Sequence, residues 1–516
     1  MDKNASSKEY LISDRPAKAL VTFALPMMVG NLFQQLYNMT DSVVVGRFVG
    51  ENALAAVGAS YSLTNVFISI AIGGGVGASV ITAQAFGRRD YPRMRRSVVT
   101  ALTAFLVLSV ILGTVGLAFS PDIMALLRTP ENIMGDAVTY LNIYFLGLPF
   151  LFMYNVLSSM FNSLGRSRVP LYLLIFSSLL NVALDLVAVC YLEMGVAGVA
   201  WATLIAQGVS AVASFVIFLR ELGTYPAGGA RFDLGELGNM SRIALPSILQ
   251  QSTVSIGMML VQSVVNSFGS EMLAGYSAAM RVENICIVPM SAIGTAMSSY
   301  TAQNIGAGKS DRVRQGYRAA YGILAGIAVV LCLVCQLFAE PIISLFMEEG
   351  AASQTALAVG MSCTRFLGWF YALIGLKMTT DSVLRGSGDM TVFTIANLVN
   401  LALRVAVAVL FAPRYGIQMV WAAVPLGWAV NYLISFAEYR TGKWRGRARL
   451  QHHPGAAPPP PPPPPPPQCN SLLRQSVTFP SRRSPPGRPG ASPGRGPGWA
   501  APPPGSPGRP WGCRGG

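Results

Sequence analysis

From Ala17 to Tyr439 the chain alternates long apolar stretches with short polar breaks. A bilayer core of about 30 Å takes roughly 20 helical residues to cross. The pattern therefore predicts twelve spans, at 17–46, 52–84, 96–119, 134–160, 169–192, 195–219, 242–268, 271–303, 316–338, 354–384, 391–412 and 416–438. Several are longer than the minimum, which predicts tilt or extension into the interface. Residues 1–16 form a polar arm with neither the basic start nor the short apolar core of a cleaved signal, so the arm is expected to be retained in the cytoplasm.

The polar breaks set the orientation. With the N-terminus inside, the inner segments carry nineteen Lys and Arg, from Lys3 through Arg88 and Arg89 to Arg385. The outer segments carry three, Arg47, Arg128 and Arg414. Basic residues favour the cytoplasmic side, so both termini are expected there, in a multi-pass protein of the plasma membrane.

Within this pattern the sequence repeats itself. Ala24-Leu25-Pro26 returns as Ala244-Leu245-Pro246, Thr82-Ala83-Gln84 as Thr301-Ala302-Gln303, and Trp201 as Trp421. The stretch Leu180-Asn181-Val182-Ala183-Leu184 returns as Val399-Asn400-Leu401-Ala402-Leu403. The expected fold is thus an all-α membrane protein, with twelve transmembrane helices forming two homologous six-helix bundles. An even number of spans per copy relates the bundles by a pseudo-two-fold axis along the membrane normal. The expected division is an arm at 1–16, a first lobe at 17–219, a joining loop at 220–241, a second lobe at 242–440 and a tail at 441–516.

Composition sharpens the picture where charge is concerned. The net charge of +15 suggests a nucleic-acid binder until it is located. Residues 441–516 hold eleven Lys and Arg, no acid and 22 of the 35 prolines, ten of them consecutive at 458–467. The tail is expected to be disordered, with a polyproline II stretch, and no nucleic-acid partner is expected. Both histidines, His452 and His453, also lie there. The apolar body therefore has no imidazole for a zinc site or a histidine base, and no nucleophile–base pair, so an enzyme, a metal centre and a resident cofactor are not expected. Cys332 and Cys335 form a C-x-x-C inside an apolar span and read as packing residues.

Within the spans, acids stand out. A charged side chain at a span's centre costs about 2.5 kcal/mol or more, so each needs a partner or a purpose. Asp41 shares a helix face with Gln34, Tyr37 and Asn38, and Asp185 lies one turn beyond Asn181. Counted from the outer ends, Asp41, Asp185 and Thr203 fall in one layer roughly 8–12 Å deep. Two carboxylates, an amide and a hydroxyl make a set of hard oxygens suited to a small cation or a shared proton. Single Asn or Thr residues also tie helices together, but two acids at one depth favour an ion site. In the second copy Arg404 stands where the first has Asp185, and Gln262 best matches Asp41, so the cation site is expected in the first lobe alone. Glu283 and Arg404 are expected as second-lobe cavity charges, paired with one another. Lys377 and Asp381, four apart, are expected to pair on one helix face. Pro26 removes a backbone hydrogen bond from the helix that carries Asp41 and is a candidate hinge.

The two copies, the Ala-Leu-Pro opening each, Gln84-Ala85-Phe86-Gly87, the matching stretch from Gln303 to Lys309, and Leu384-Arg385-Gly386-Ser387-Gly388-Asp389 resemble the MATE (multidrug and toxic compound extrusion) family over residues 10–440. The first lobe is similar to the family's DinF-like branch. The resemblance implies that Asp41, Asn181, Asp185 and Thr203 bind the coupling cation. It implies that Gln34, Tyr37, Asn38 and Asn155 contact substrate. It further implies an antiporter, working as a monomer in the bilayer, that exports amphiphilic, often cationic, small molecules against inward Na⁺ or H⁺. Two other readings fit the sequence, a lipid-linked-oligosaccharide flippase of the wider superfamily and a membrane receptor or scaffold without transport.

Overall fold

The backbone of an apolar segment in lipid must satisfy its own hydrogen bonds, and the helix does so locally. The computed structural model describes residues 9–445 except 128, 227, 230 and 348–353, and omits the side chains of residues 39, 41–44, 47, 51, 52, 54 and 62. The expectation for the proline-rich tail lies outside the described residues.

The spans of the first half are α1 (Pro16–Val44), α2 (Glu51–Gly87), α3 (Tyr91–Leu126), α4 (Glu131–Ser163), α5 (Arg168–Leu186) and α6 (Gly195–Gly223). Those of the second are α7 (Leu234–Asn266), α8 (Ser270–Gly306), α9 (Ser310–Leu337), the two-part α10, α11 (Met390–Tyr415) and α12 (Gln418–Thr441). No strand occurs among the described residues. The helices start and stop where local chemistry dictates. Asp233 caps α7 by accepting from the backbone N–H groups of Gly235 (2.7 Å) and Glu236 (3.1 Å). Gly388, at φ 84°, ends the helix that closes at Ser387 in the left-handed region that glycine enters without strain.

One span departs from expectation. The tenth is two helices, α10a (Gln354–Gly368) and α10b (Tyr371–Ser387), bent by 54°. Apolar character runs unbroken through Trp369 and Phe370, so hydrophobicity alone predicts a continuous rod there.

The repeat reappears in the packing. In the first half α5 lies on α6, α2 on α4, and α1 against α5; in the second α11 lies on α12, α8 on α10, and α7 against α11. The halves meet reciprocally, α1 on α8 and α7 on α2. The molecule is two homologous six-helix bundles in one frame. Lipid gives helices no hydrophobic reason to associate, so small residues that admit close approach decide these contacts. A Cβ on Gly73 would come within 2.7 Å of the Ile248 backbone nitrogen, and one on Gly77 within 2.6 Å of the Met240 carbonyl. The lipid-facing side of α3 is a belt of exposed Leu106, Val107, Val110, Ile111, Val115 and Phe119.

Candidate functional site

The polar layer expected near the outer ends of α1, α5 and α6 is assembled around Asn181. In the amide orientation that satisfies both ends, its NH₂ donates to the Tyr37 hydroxyl and, at 3.3 Å, to Asp185 Oδ2. Its carbonyl accepts from the Thr203 backbone N–H at 3.1 Å. The Thr203 hydroxyl lies 3.3 Å from that same end of the amide. One side chain thus ties together α1, α5 and α6. Asn181 and Asp185 are buried, Asp185 completely.

Helix geometry sets up this layer. α1 and α5 both run into a wide π-helical turn, Val45–Val49 and Val187–Tyr191, and the two turns touch. Their i→i+5 bonds are Gly50 N to Val45 O (3.2 Å) and Leu192 N to Val187 O (3.1 Å). Such turns concentrate at functional sites because they shift the register of the side chains that follow or precede them.

Of the residues singled out from sequence, Asn181, Asp185 and Thr203 come together, and Tyr37 joins them. Gln34 and Asn38 bond to each other along α1, Nε2 to Oδ1, at 3.0 Å. Asp41 continues the helical turn beyond them, but its side chain lies outside the described residues. Asn155 stands apart on α4, where its Nδ2 donates to the Leu151 carbonyl at 2.8 Å. Pro26 is buried inside α1. Sequence reasoning missed Tyr140, Tyr144 and Gln207, which line a groove that reaches Thr203. Gln207 lies four residues from Thr203, and that spacing was the available signal.

The second half holds different chemistry at the matching place. Asn400 and Arg404 occupy the positions of Asn181 and Asp185, facing α7 and α12. Lys377 and Asp381 pair at 2.9 Å as expected. Asn397 joins them, its Oδ1 accepting from Lys377 Nζ at 3.0 Å, and Ser435 Oγ donates to Asp381 Oδ1 at 2.6 Å. The expected Glu283–Arg404 pair does not form: among the described residues no ion pair within 4 Å joins them. Glu283 belongs to α8, whereas α11 packs on α7, α10b and α12, so the two charges sense one another only at longer range.

At the opposite end of the helices the halves clasp each other symmetrically. Gln84 Nε2 donates to the Gly386 carbonyl (3.2 Å), and Gln303 Nε2 to the Ser163 carbonyl (2.7 Å). Gly87 and Gly306 admit the closest approach, because a Cβ on either would overlap the Gln303 or Gln84 carbonyl respectively. Residues 9–15 reinforce this end. Tyr10 Oη donates to the Gly165 carbonyl at 2.9 Å, while Asn304 Nδ2 donates to Leu11 O at 3.0 Å. The segment so joins both halves, with Leu11 and Ile12 buried.

The MatE family matches residues 26–187 and 246–410. "Probable multidrug resistance protein YpnP" of Bacillus subtilis (strain 168) is 30% identical over 431 residues, 83% of this chain and 96% of that protein. "Probable multidrug resistance protein YoeA" of the same organism is 29% identical, covering 84% of this chain and 97% of its own length. A solved structure described as the outward-facing conformation of a multidrug resistance MATE family transporter of the MOP superfamily superposes with a TM-score of 0.78. It is 26% identical and is matched over 86% of this chain and 98% of that one.

Proposed function

The chain belongs to the MatE family of multi-pass membrane transporters, and on that premise we propose that it is a secondary active multidrug exporter. It moves amphiphilic, often cationic, small molecules outward in exchange for Na⁺ or H⁺ bound in its first half. Relatives named multidrug resistance proteins favour this reading over the flippase and the non-transporting receptor. The observation that carries it is Asp185, a fully buried carboxylate in a membrane span, hydrogen-bonded to an amide that also holds Tyr37 of α1.

Asp185, with Asp41, supplies the charge for the coupling ion, and Asn181 and Thr203 supply neutral oxygens. The hydroxyl of Tyr37 belongs both to this cluster and to the α1 face that carries Gln34 and Asn38, the substrate-contacting positions, with Asn155 deeper in the first half. Ion and substrate therefore compete through α1. When the ion occupies the cluster, α1 tightens onto α5, bending at Pro26, and the substrate face is withdrawn. Reciprocity requires the substrate to weaken the ion by the same factor. On this reading the end clasped by Gln84 and Gln303 is the cytoplasmic one. The protein works as a monomer in the plasma membrane, with both termini in the cytoplasm and no resident cofactor.

The test is equilibrium binding of a fluorescent cation such as ethidium to the purified full chain. Raising Na⁺ or lowering pH should weaken dye binding in the wild type and leave it unaltered in Asp185→Asn. An equal response of both proteins to both ions would refute the assignment.

A further inference from the structure

The second half keeps the frame of the ion cluster and reverses its charge. Arg404 sits near the middle of α11, fourteen residues after Met390, or about 21 Å along the helix. A cation at that depth is costly and calls for a partner or a ligand. Arg404 has neither an ion pair within 4 Å nor a hydrogen bond to any described residue, and the Glu283 carboxyl of α8 reaches it only at longer range. One turn earlier, Oδ1 of Asn400 is buried without a hydrogen-bond partner. On the facing helix Asn431 is fully buried with both ends of its amide unpartnered.

Two glycines bring the neighbouring helices close to this group. A Cβ on Gly427 of α12 would overlap the Asn400 amide and come within 2.8 Å of Arg404 Cγ, and one on Gly257 of α7 would overlap Leu401. Gly257, Asn397, Asn400 and Arg404 line a single cleft between α7 and α11. The unused Asn400 oxygen thus lies beside a guanidinium whose planar fork matches a carboxylate or phosphate. An amide can turn its NH₂ toward an anion, so an orphaned Asn beside Arg is suited to the same ligand.

We propose that this cleft is an anion subsite that receives the carboxylate or phosphate group of a transported amphiphile. The proposal rests on the transport reading above and extends it: the first half answers to a cation, the second to the negative group of a zwitterionic or anionic cargo. Arg404 is the charge that selects the group and Asn400 the neighbouring donor, with Gly257 in the cleft wall and Gly427 packed against both side chains.

A matched pair of dyes tests the subsite. Rhodamine B carries a free carboxylate, and its ethyl ester does not. Binding of each to the full chain in detergent is measured by fluorescence polarisation for wild type, Arg404→Gln and Arg404→Lys. Arg404→Gln should weaken rhodamine B about tenfold more than it weakens the ester, and Arg404→Lys should recover part of that preference. Benzoate should displace rhodamine B from the wild type far more effectively than the ester, an arm that needs no variant to fold. Equal losses for the two dyes, or equal displacement by benzoate, overturn the subsite. Displacement of rhodamine B by phosphatidylglycerol but not by benzoate would assign the cleft to a lipid headgroup and overturn the assignment to cargo. Ion-gradient-driven efflux of the ester by wild-type proteoliposomes is followed separately. Its absence with the dye preference intact rejects the transport reading and keeps the anion subsite, whereas efflux without any preference rejects the subsite alone.

Discussion

Asn181 connects three helices through one amide, and each contact has a separable effect. Tyr37→Phe removes the hydroxyl that Asn181 meets and leaves the packing of α1 on α5 largely in place. A hydrogen bond of this kind is worth about 1 kcal/mol. Ion competition against bound dye should therefore weaken roughly fivefold in Tyr37→Phe. An unchanged ion dependence would detach Tyr37 from the cluster. A second residue-scale prediction concerns Asp233, outside the membrane. The Glu236 backbone N–H, then that of Gly235 and the Arg96 guanidinium, hold its carboxyl below the ordinary value of 3.8. A depressed carboxyl contributes stability above its unfolded pKa and loses it as pH falls through the folded value. Asp233→Ala should lower stability by about 1 kcal/mol at neutral pH, and the difference should shrink below 3.8. Thermal unfolding of the two proteins in detergent at both acidities checks this; an equal deficit at each would exclude the ionised cap as its source.

At the scale of elements, the clasp of α2 and α8 sets which end of the molecule is closed. Gly306→Ala places a methyl group against the Gln84 carbonyl, and overpacking of this kind costs typically 1–3 kcal/mol. The variant should populate a state with the clasp parted. Spin-label distances between the Ser163 end of α4 and the Met390 end of α11 should lengthen relative to the wild type; an unaltered distribution would show that the glycine contact does not govern closure. Element existence was legible in the sequence because each span is long and apolar. The break in α10 was not, since Trp369 and Phe370 continue that apolar character while the backbone turns. Nor was the docking of residues 9–15, whose polar composition hides Leu11 and Ile12, the two side chains that the halves enclose. The Glu283–Arg404 pairing failed for a related reason: sequence places charges along helices but does not say which helices are neighbours.

For the whole molecule, duplication provides one scaffold with two chemistries. The repeat of Asn181 as Asn400, with Asp185 exchanged for Arg404, was readable without any structure. That Asn181 gathers Tyr37 and Thr203, while Asn400 is left with an unpartnered oxygen beside an open cleft, required the packing. The central claim is that ion binding at the first-half carboxylate drives export. Its most direct measurement is dye efflux from liposomes containing the full chain, with ethidium inside and a Na⁺ or pH gradient imposed separately. The Asp185→Asn variant is compared with wild type at equal incorporation and equal thermal stability. Wild-type protein should expel the dye under at least one gradient, and Asp185→Asn should fall to the passive leak under both. Wild-type rates retained by Asp185→Asn under the driving gradient would contradict the account.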